Sequence, residues 1–165
     1  MYVHREIKGP KPQFYAELAG QLDELLAGET DQLANLCNAA ALFGCHLPEI
    51  NWVGFYLHRD GELRLGPFWG RPACTRIPIG GGVCGTAAAG RETVVVPDVT
   101  AFPGHIACDS ASRSEIVVPI IDAGGNLFGV LDVDSPVLAR FDEDDASGLG
   151  ECVRVIRRRV ADLGS

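Results

Sequence analysis

The stretch SEIVVPIIDAGGNLFGVLDVDSP, residues 114–136, decides the fold. Glu115–Ile121 is an apolar, β-branched run, Gly124-Gly125 is a turn, and Asn126–Asp134 returns with the same character. Two such runs across a glycine turn form a β-hairpin. In the second run Asp132 and Asp134 alternate with Leu131 and Val133. Side chains along a strand repeat every second residue, so the acids share one face and the apolar pair the other. An antiparallel strand of this kind normally turns its polar face to water. The same pattern also fits a site, because Glu115 opens the partner strand seven positions after Cys108. Clustered carboxylates raise one another's pKa by repulsion, so that one can hold a proton near neutral pH and act as a general acid. They could equally bind a substrate ammonium. The strand pattern leaves both readings open.

Outward from the hairpin, Thr93–Val96 reads as a strand ended by Pro97, and residues 98–113 as a long loop. Upstream, Glu49–His58 and Glu62–Phe68 form a second hairpin about Asp60-Gly61. Glycine, proline and cysteine dominate residues 66–85, which read as loop, followed by a short helix over Val83–Ala89. Two helices precede the strands. One follows the breaker Gly9-Pro10-Lys11-Pro12, with Phe14, Leu18, Leu22, Leu25 and Leu26 on its stripe. The other is expected to be capped by Thr30, with Leu33, Leu36, Cys37, Ala40 and Ala41 inward. A C-terminal helix over 142–163 turns Leu149, Cys152, Val153, Ile156, Val160 and Leu163 inward. The expected organisation is one domain over 1–165: N-terminal helices 12–46, sheet and long loops 49–136, then the last helix. This is an α+β fold, a mainly antiparallel sheet with helices packed on it and loops over one face. Long loops on a rigid sheet are where ligands and chemistry usually sit.

The 165 residues carry a net charge of −8, which disfavours nucleic acid and an anionic membrane surface alike. The Arg157–Arg159 run fits the solvated last turn of a helix. No segment has the length and apolarity of a signal peptide core or a membrane span, so a cytoplasmic location is expected. Standing disulfides are rare in that compartment, and loop cysteines are more often catalytic, redox-active or metal-binding.

Six cysteines divide into two groups. Cys37, Cys45 and Cys152 lie on or near helical stripes, where packing accounts for them. Cys74, Cys84 and Cys108 lie outside any apolar period. Cys84 follows a glycine run and opens a helix, a position where backbone N–H groups lower a thiol pKa; filling space in a tight turn is the plainer alternative. GGGVCGTA (80–87) lacks the lysine and Ser/Thr of a phosphate-binding loop. As zinc ligands the three cysteines plus His105 fit poorly, since only His105 and Cys108 are closely spaced, and no metal is expected. His105 on its own is more often a backbone-bonded loop histidine than a ligand or base. Thiol chemistry remains, with three non-core cysteines on loops that can meet over one sheet face.

NWVGFY (51–56), GPFWGRPAC (66–74), GVCGTAA (82–88), VPDVTAFPGHIACDSAS (96–112), SEIVVP (114–119) and GVLDVDSP (129–136) together resemble the free methionine-(R)-sulfoxide reductases, which are built on a GAF domain. The resemblance spans about residues 14–160. It implies a six-stranded antiparallel sheet with helices on one face and pocket-forming loops on the other. It further implies reduction of the free amino acid's sulfoxide, with Cys108 as nucleophile, Cys74 as resolving cysteine and Cys84 as auxiliary thiol. Glu115, Asp132 and Asp134 fall on the acids that hold the substrate, and Glu115 or Asp134 would donate to the sulfoxide oxygen. Trp52 and Tyr56 fall on the aromatic wall around the S-methyl group. The implied reductant is an external dithiol, thioredoxin, with no cofactor, and a homodimer is left open. Gly81 and Trp69 depart from the pattern, which often has a lysine and a polar residue there. Two competing classes stand beside the enzyme. A GAF-type ligand or redox sensor would bind tightly without turnover, although such sensors are commonly tethered to an output domain. A zinc-held structural domain would lose its fold to a chelator.

Overall fold

The computed structural model describes residues 1–164, with side chains through Asp162. Four helices, α1 (Lys11–Leu26), α2 (Gln32–His46), α3 (Gly82–Gly90) and α4 (Glu143–Arg159), surround six strands. The strands are β1 (Trp52–Arg59), β2 (Glu62–Gly70), β3 (Arg76–Pro78), β4 (Val94–Val96), β5 (Ser114–Ile121) and β6 (Leu127–Ser135). They form one antiparallel sheet in the order β3-β2-β1-β6-β5-β4.

Strand alternation gives this sheet two apolar faces. Val53, Phe55, Ile116, Val118, Ile120, Leu131 and Val133 point to one side, where α1, α2 and α4 cover them. Trp52, Tyr56, Val117 and Val130 point to the other, against Val83, Ala87 and Ala88 of α3. The acids of the hairpin therefore face α3 and the loops, away from the main core. α4 starts at Asp142, whose carboxylate accepts from the backbone of Asp144 and Asp145 while Asp145 returns to the Asp142 N–H, a complete capping box. Arg159 at its far end binds Asp23 of α1 at 2.9 Å.

Several expectations shift. Asp31 caps α2, accepting from the Ala34 N–H at 2.7 Å, because a carboxylate one residue later outcompetes the Thr30 hydroxyl. The buried face of α2 is Leu36, Ala39, Ala40 and Phe43. Leu33, Cys37 and Ala41 are exposed, since Phe43 and Leu36, seven apart, anchor the helix. Cys37 and Cys45 are thus solvent-facing, and packing accounts for Cys152 alone of its group. β2 continues to Gly70 and β3 lies inside the 66–85 segment expected to be loop. β3 is only three residues long and holds a proline, too little for a periodic signal. α4 stops at Arg159 and a 3-10 turn follows over Ala161–Gly164; the Leu163 side chain lies outside the described residues. No described helix is long and apolar enough to cross a membrane.

Candidate active site

Register brings the acids together. Glu115 pairs with Asp134 across β5 and β6, and Asp132 lies opposite Val117. β1 runs along the other side of β6, with Trp52 opposite Asp134 and Gly54 opposite Asp132. Trp52 and Tyr56 share this face and stack at 5.8 Å, and Phe68 stacks on Trp52 at 5.3 Å. The tight stack needs glycine at 54: a Cβ there would fall 2.4 Å from the Phe68 Cβ and 2.7 Å from the Trp52 ring.

Over the same face lies the 98–113 loop. Cys108 is joined to Cys74 by a disulfide with the Cα atoms 5.4 Å apart, well inside the span a disulfide bridges. Cys84 enters from the first turn of α3, buried, with its Sγ 3.9 Å from Glu115 Oε1. His105 Nε2 lies 3.8 Å from Glu115 Oε2. Between them is a cavity of about 30 Å³ lined by Tyr56, Cys84, His105, Cys108, Glu115, Asp132 and Asp134.

Burial governs the charges. Desolvation first, then the negative charges of Asp132 and Asp134, push Glu115 well above the carboxylate range. Desolvation and Asp132 do the same to Asp134. Desolvation pushes Asp132 up to about 6, held there by hydrogen bonds from Glu115 and Cys84. Glu115 and Asp134 thus keep their protons at neutral pH beside a largely ionised Asp132, as repulsion between packed carboxylates in a dry site requires. Cys84 goes the opposite way from its helix-start expectation: desolvation and the facing carboxylates push its thiol well up. The helix N-terminus does not overcome three acids at close quarters. Burial holds His105 below its ordinary value, so its imidazole is neutral.

The GAF domain family matches residues 21–159. The chain is 52% identical to Protein YtsP of Bacillus subtilis (strain 168), over 98% of this chain and 99% of that one. It is 49% identical to the free methionine-R-sulfoxide reductase of Escherichia coli (strain K12), over 92% of this chain and 91% of that one. The X-ray structure of free methionine-R-sulfoxide reductase from Neisseria meningitidis in complex with its substrate superimposes with a TM-score of 0.93. Identity there is 48%, over 98% of this chain and 96% of that chain. The chain belongs to the free methionine-R-sulfoxide reductase family.

All eight residues matched to that family's motifs gather on one face. Trp52, Tyr56, Asp132, Asp134 and Glu115 come from the sheet; Cys74, Cys84 and Cys108 come from the segments above it. The acids line a cavity and do not form a solvated face. Two features of this reductase-family site escaped the sequence reading. The polar ends of the aromatic pair hold the Cys74 segment: Tyr56 OH donates to the Cys74 carbonyl at 3.0 Å, and Trp52 Nε1 to the Arg71 carbonyl at 3.2 Å. Asn51, the first residue of NWVGFY, clamps the other segment, its amide donating to Asp109 Oδ2 at 3.2 Å and Ser112 Oγ at 3.0 Å. The signal for Asn51 is an amide at a strand start, common enough in turns to pass unnoticed. Trp69, a departure from the family pattern, lies against α2 at Gly44, where a Cβ would fall 2.5 Å from the Trp69 ring.

Proposed function

We propose that this domain reduces free methionine-(R)-sulfoxide to methionine, using Cys108 as nucleophile, Cys74 as resolving thiol and an external dithiol as reductant. The observation that carries it is the Cys74–Cys108 disulfide closing directly over a ring of three protonatable acids. The Cys108 thiolate attacks the sulfoxide sulfur while Glu115 or Asp134, protonated by burial, donates to its oxygen. Charge developing on that oxygen is stabilised more strongly in a dry site than in water. Oxygen passes to Cys108 as a sulfenic acid and methionine leaves. The Cys74 thiol condenses with the sulfenic acid, forming the disulfide and releasing water. A dithiol protein such as thioredoxin then exchanges with the disulfide and restores both thiols. No cofactor enters the scheme, which suits a reducing cytoplasm.

The remaining residues position substrate. Asp132, with one carboxylate oxygen buried and without a hydrogen-bond partner, is suited to an ammonium, and the Trp52–Tyr56 stack to the S-methyl group. With the disulfide closed the cavity of about 30 Å³ has room for one or two waters. Substrate therefore enters only after reduction frees the Cys108 loop. Preference for the R epimer and for the free amino acid rests on the family relationship.

The test is consumption of free methionine-(R)-sulfoxide by the protein with a dithiol, alongside Cys108→Ser. Wild-type turnover with loss of at least a hundredfold in the variant is expected. Full activity in Cys108→Ser would remove the nucleophile assignment, and tight sulfoxide binding with no turnover by wild type would favour a ligand sensor.

A further inference from the structure

The zinc set considered from sequence, Cys74, Cys84, Cys108 and His105, is not the set the fold assembles. Cys74 and Cys108 are bonded to each other. Among the described residues the fold instead gathers Cys84 Sγ with one carboxylate oxygen each from Glu115 and Asp132, all buried and all within 4.8 Å of one another. His105 Nε2 stands 3.8 Å from Glu115 Oε2 across the same cavity.

We propose that Cys84, Glu115 and Asp132, closed by His105, form a binding site for one borderline-soft divalent cation of the Zn²⁺ type, and that the ion bound there shuts the cavity to substrate. Three observations carry this. First, Asp132 is 5% exposed and its Oδ1 has no hydrogen-bond partner; an orphaned carboxylate oxygen lining a cavity calls for a cationic occupant. Second, the donor set is one sulfur, two oxygens and one imidazole nitrogen, which suits zinc and does not suit Mg²⁺ or Ca²⁺. Tetrahedral zinc places its donors roughly 3–4 Å apart, given bonds of about 2.0–2.3 Å. Cys84, Glu115 and Asp132, within 4.8 Å of one another, need only side-chain contraction to reach that, and His105, which stands outside this trio, has to swing in to close it. Third, a cavity of about 30 Å³ accepts an ion where an amino acid does not fit, and the partly buried His105, Cys108 and Asp109 at its rim give access.

The chemistry is a proton-for-metal exchange. The Cys84 thiol loses its proton to solvent as the Zn–S bond forms, and any carboxyl proton leaves in the same way. No electron moves. The consequence is specific: neither redox cysteine is a ligand, so the disulfide form binds the ion too. Ordinary poisoning of a thiol enzyme would need free Cys74 or Cys108.

Isothermal titration of Zn²⁺ into the fully oxidised protein tests the site, on a Cys37→Ser/Cys45→Ser background that removes the exposed thiols. One ion per chain is expected, with Mg²⁺ at least a hundredfold weaker. Cys84→Ala and Asp132→Asn should each weaken zinc at least a hundredfold, and His105→Ala tenfold or more. Circular dichroism of each variant separates lost ligation from lost fold, and Asp132→Asn carries the test if Cys84→Ala does not fold. No stoichiometric binding by the oxidised form, equal affinity for Mg²⁺, or unchanged affinity in folded Asp132→Asn would overturn the proposal. The blocking claim rests on the reductase reading. Zinc should inhibit turnover competitively with sulfoxide and a chelator should restore it. Zinc that binds without inhibiting would overturn the blocking role and leave the reductase reading standing.

Discussion

Cys108 gains meaning from residues far from it in sequence. His105 and Asp109 are its near neighbours, yet the acids over which its disulfide closes come from two other strands. If Glu115 and Asp134 supply the proton, Glu115→Gln or Asp134→Asn should lower kcat by about 10²–10⁴, the usual worth of a general acid. Activity should also fall as pH rises through the raised carboxyl pKa, since the donor must be protonated, and steady-state rates between pH 5 and 9 read this. A rate that climbs over that whole range would place the chemistry elsewhere. Tyr56 has a separable role. Its hydroxyl holds the Cys74 carbonyl, a bond worth about 1 kcal/mol. Tyr56→Phe should therefore keep the first burst of methionine but slow disulfide closure several-fold. Sulfenic acid on Cys108, trapped with dimedone, measures that.

At the scale of elements, α1 and α4 pack closely on each other because a glycine stands at their contact. A Cβ on Gly148 of α4 would fall 2.0 Å from Cγ of Tyr15, whose hydroxyl donates to the buried Asp145 at 2.7 Å. The atoms met are at the root of the tyrosine, so α1 itself must shift. Gly148→Ala should cost about 2–3 kcal/mol by overpacking, outweighing the ~1 kcal/mol that alanine gains over glycine in a helix. Urea denaturation at neutral pH reads the difference, and a stabilised variant would contradict the packing described.

Element by element, legibility in the sequence tracked periodicity. The β5–β6 hairpin and α4 were readable because long apolar runs of period two and 3.6 leave few alternatives. α2 was readable as a helix but not in its rotation, because alanine and cysteine offer the same small apolar surface on several faces and only Phe43 breaks the tie. β3 is three residues with no pattern of its own and exists because β2 offers it an edge. In the site, the motif residues were legible by resemblance. Their electrostatics were not: Cys84 at a helix start reads as activated until the three-dimensional crowd of acids is seen.

Across the whole molecule, a site of buried acids carries a stability cost. Asp132 has a folded pKa of about 6, against roughly 3.9 in an unfolded chain. The folded state therefore holds this proton more tightly. That contribution is fully present below about pH 4 and is lost as pH rises through 6. Asp132→Asn removes the penalty, so the variant should be more stable than wild type at pH 8 by about 3 kcal/mol, roughly 6–12 °C in Tm for a domain of this size. The gain should vanish near pH 4 while activity is lost throughout, the trade expected where function needs a strained polar site. Thermal melts at both pH values check it; a variant less stable at pH 8 would show that the acids hold the fold together.

The central claim is that Cys108 takes the sulfoxide oxygen and Cys74 resolves it. One equivalent of free methionine-(R)-sulfoxide added to the fully reduced protein, followed by peptide mass spectrometry, tests it most directly. The account predicts one methionine released per chain and a single new disulfide, Cys74–Cys108, with Cys84 still a free thiol. A disulfide between Cys84 and Cys108, or methionine formed with Cys108 still reduced, would contradict it.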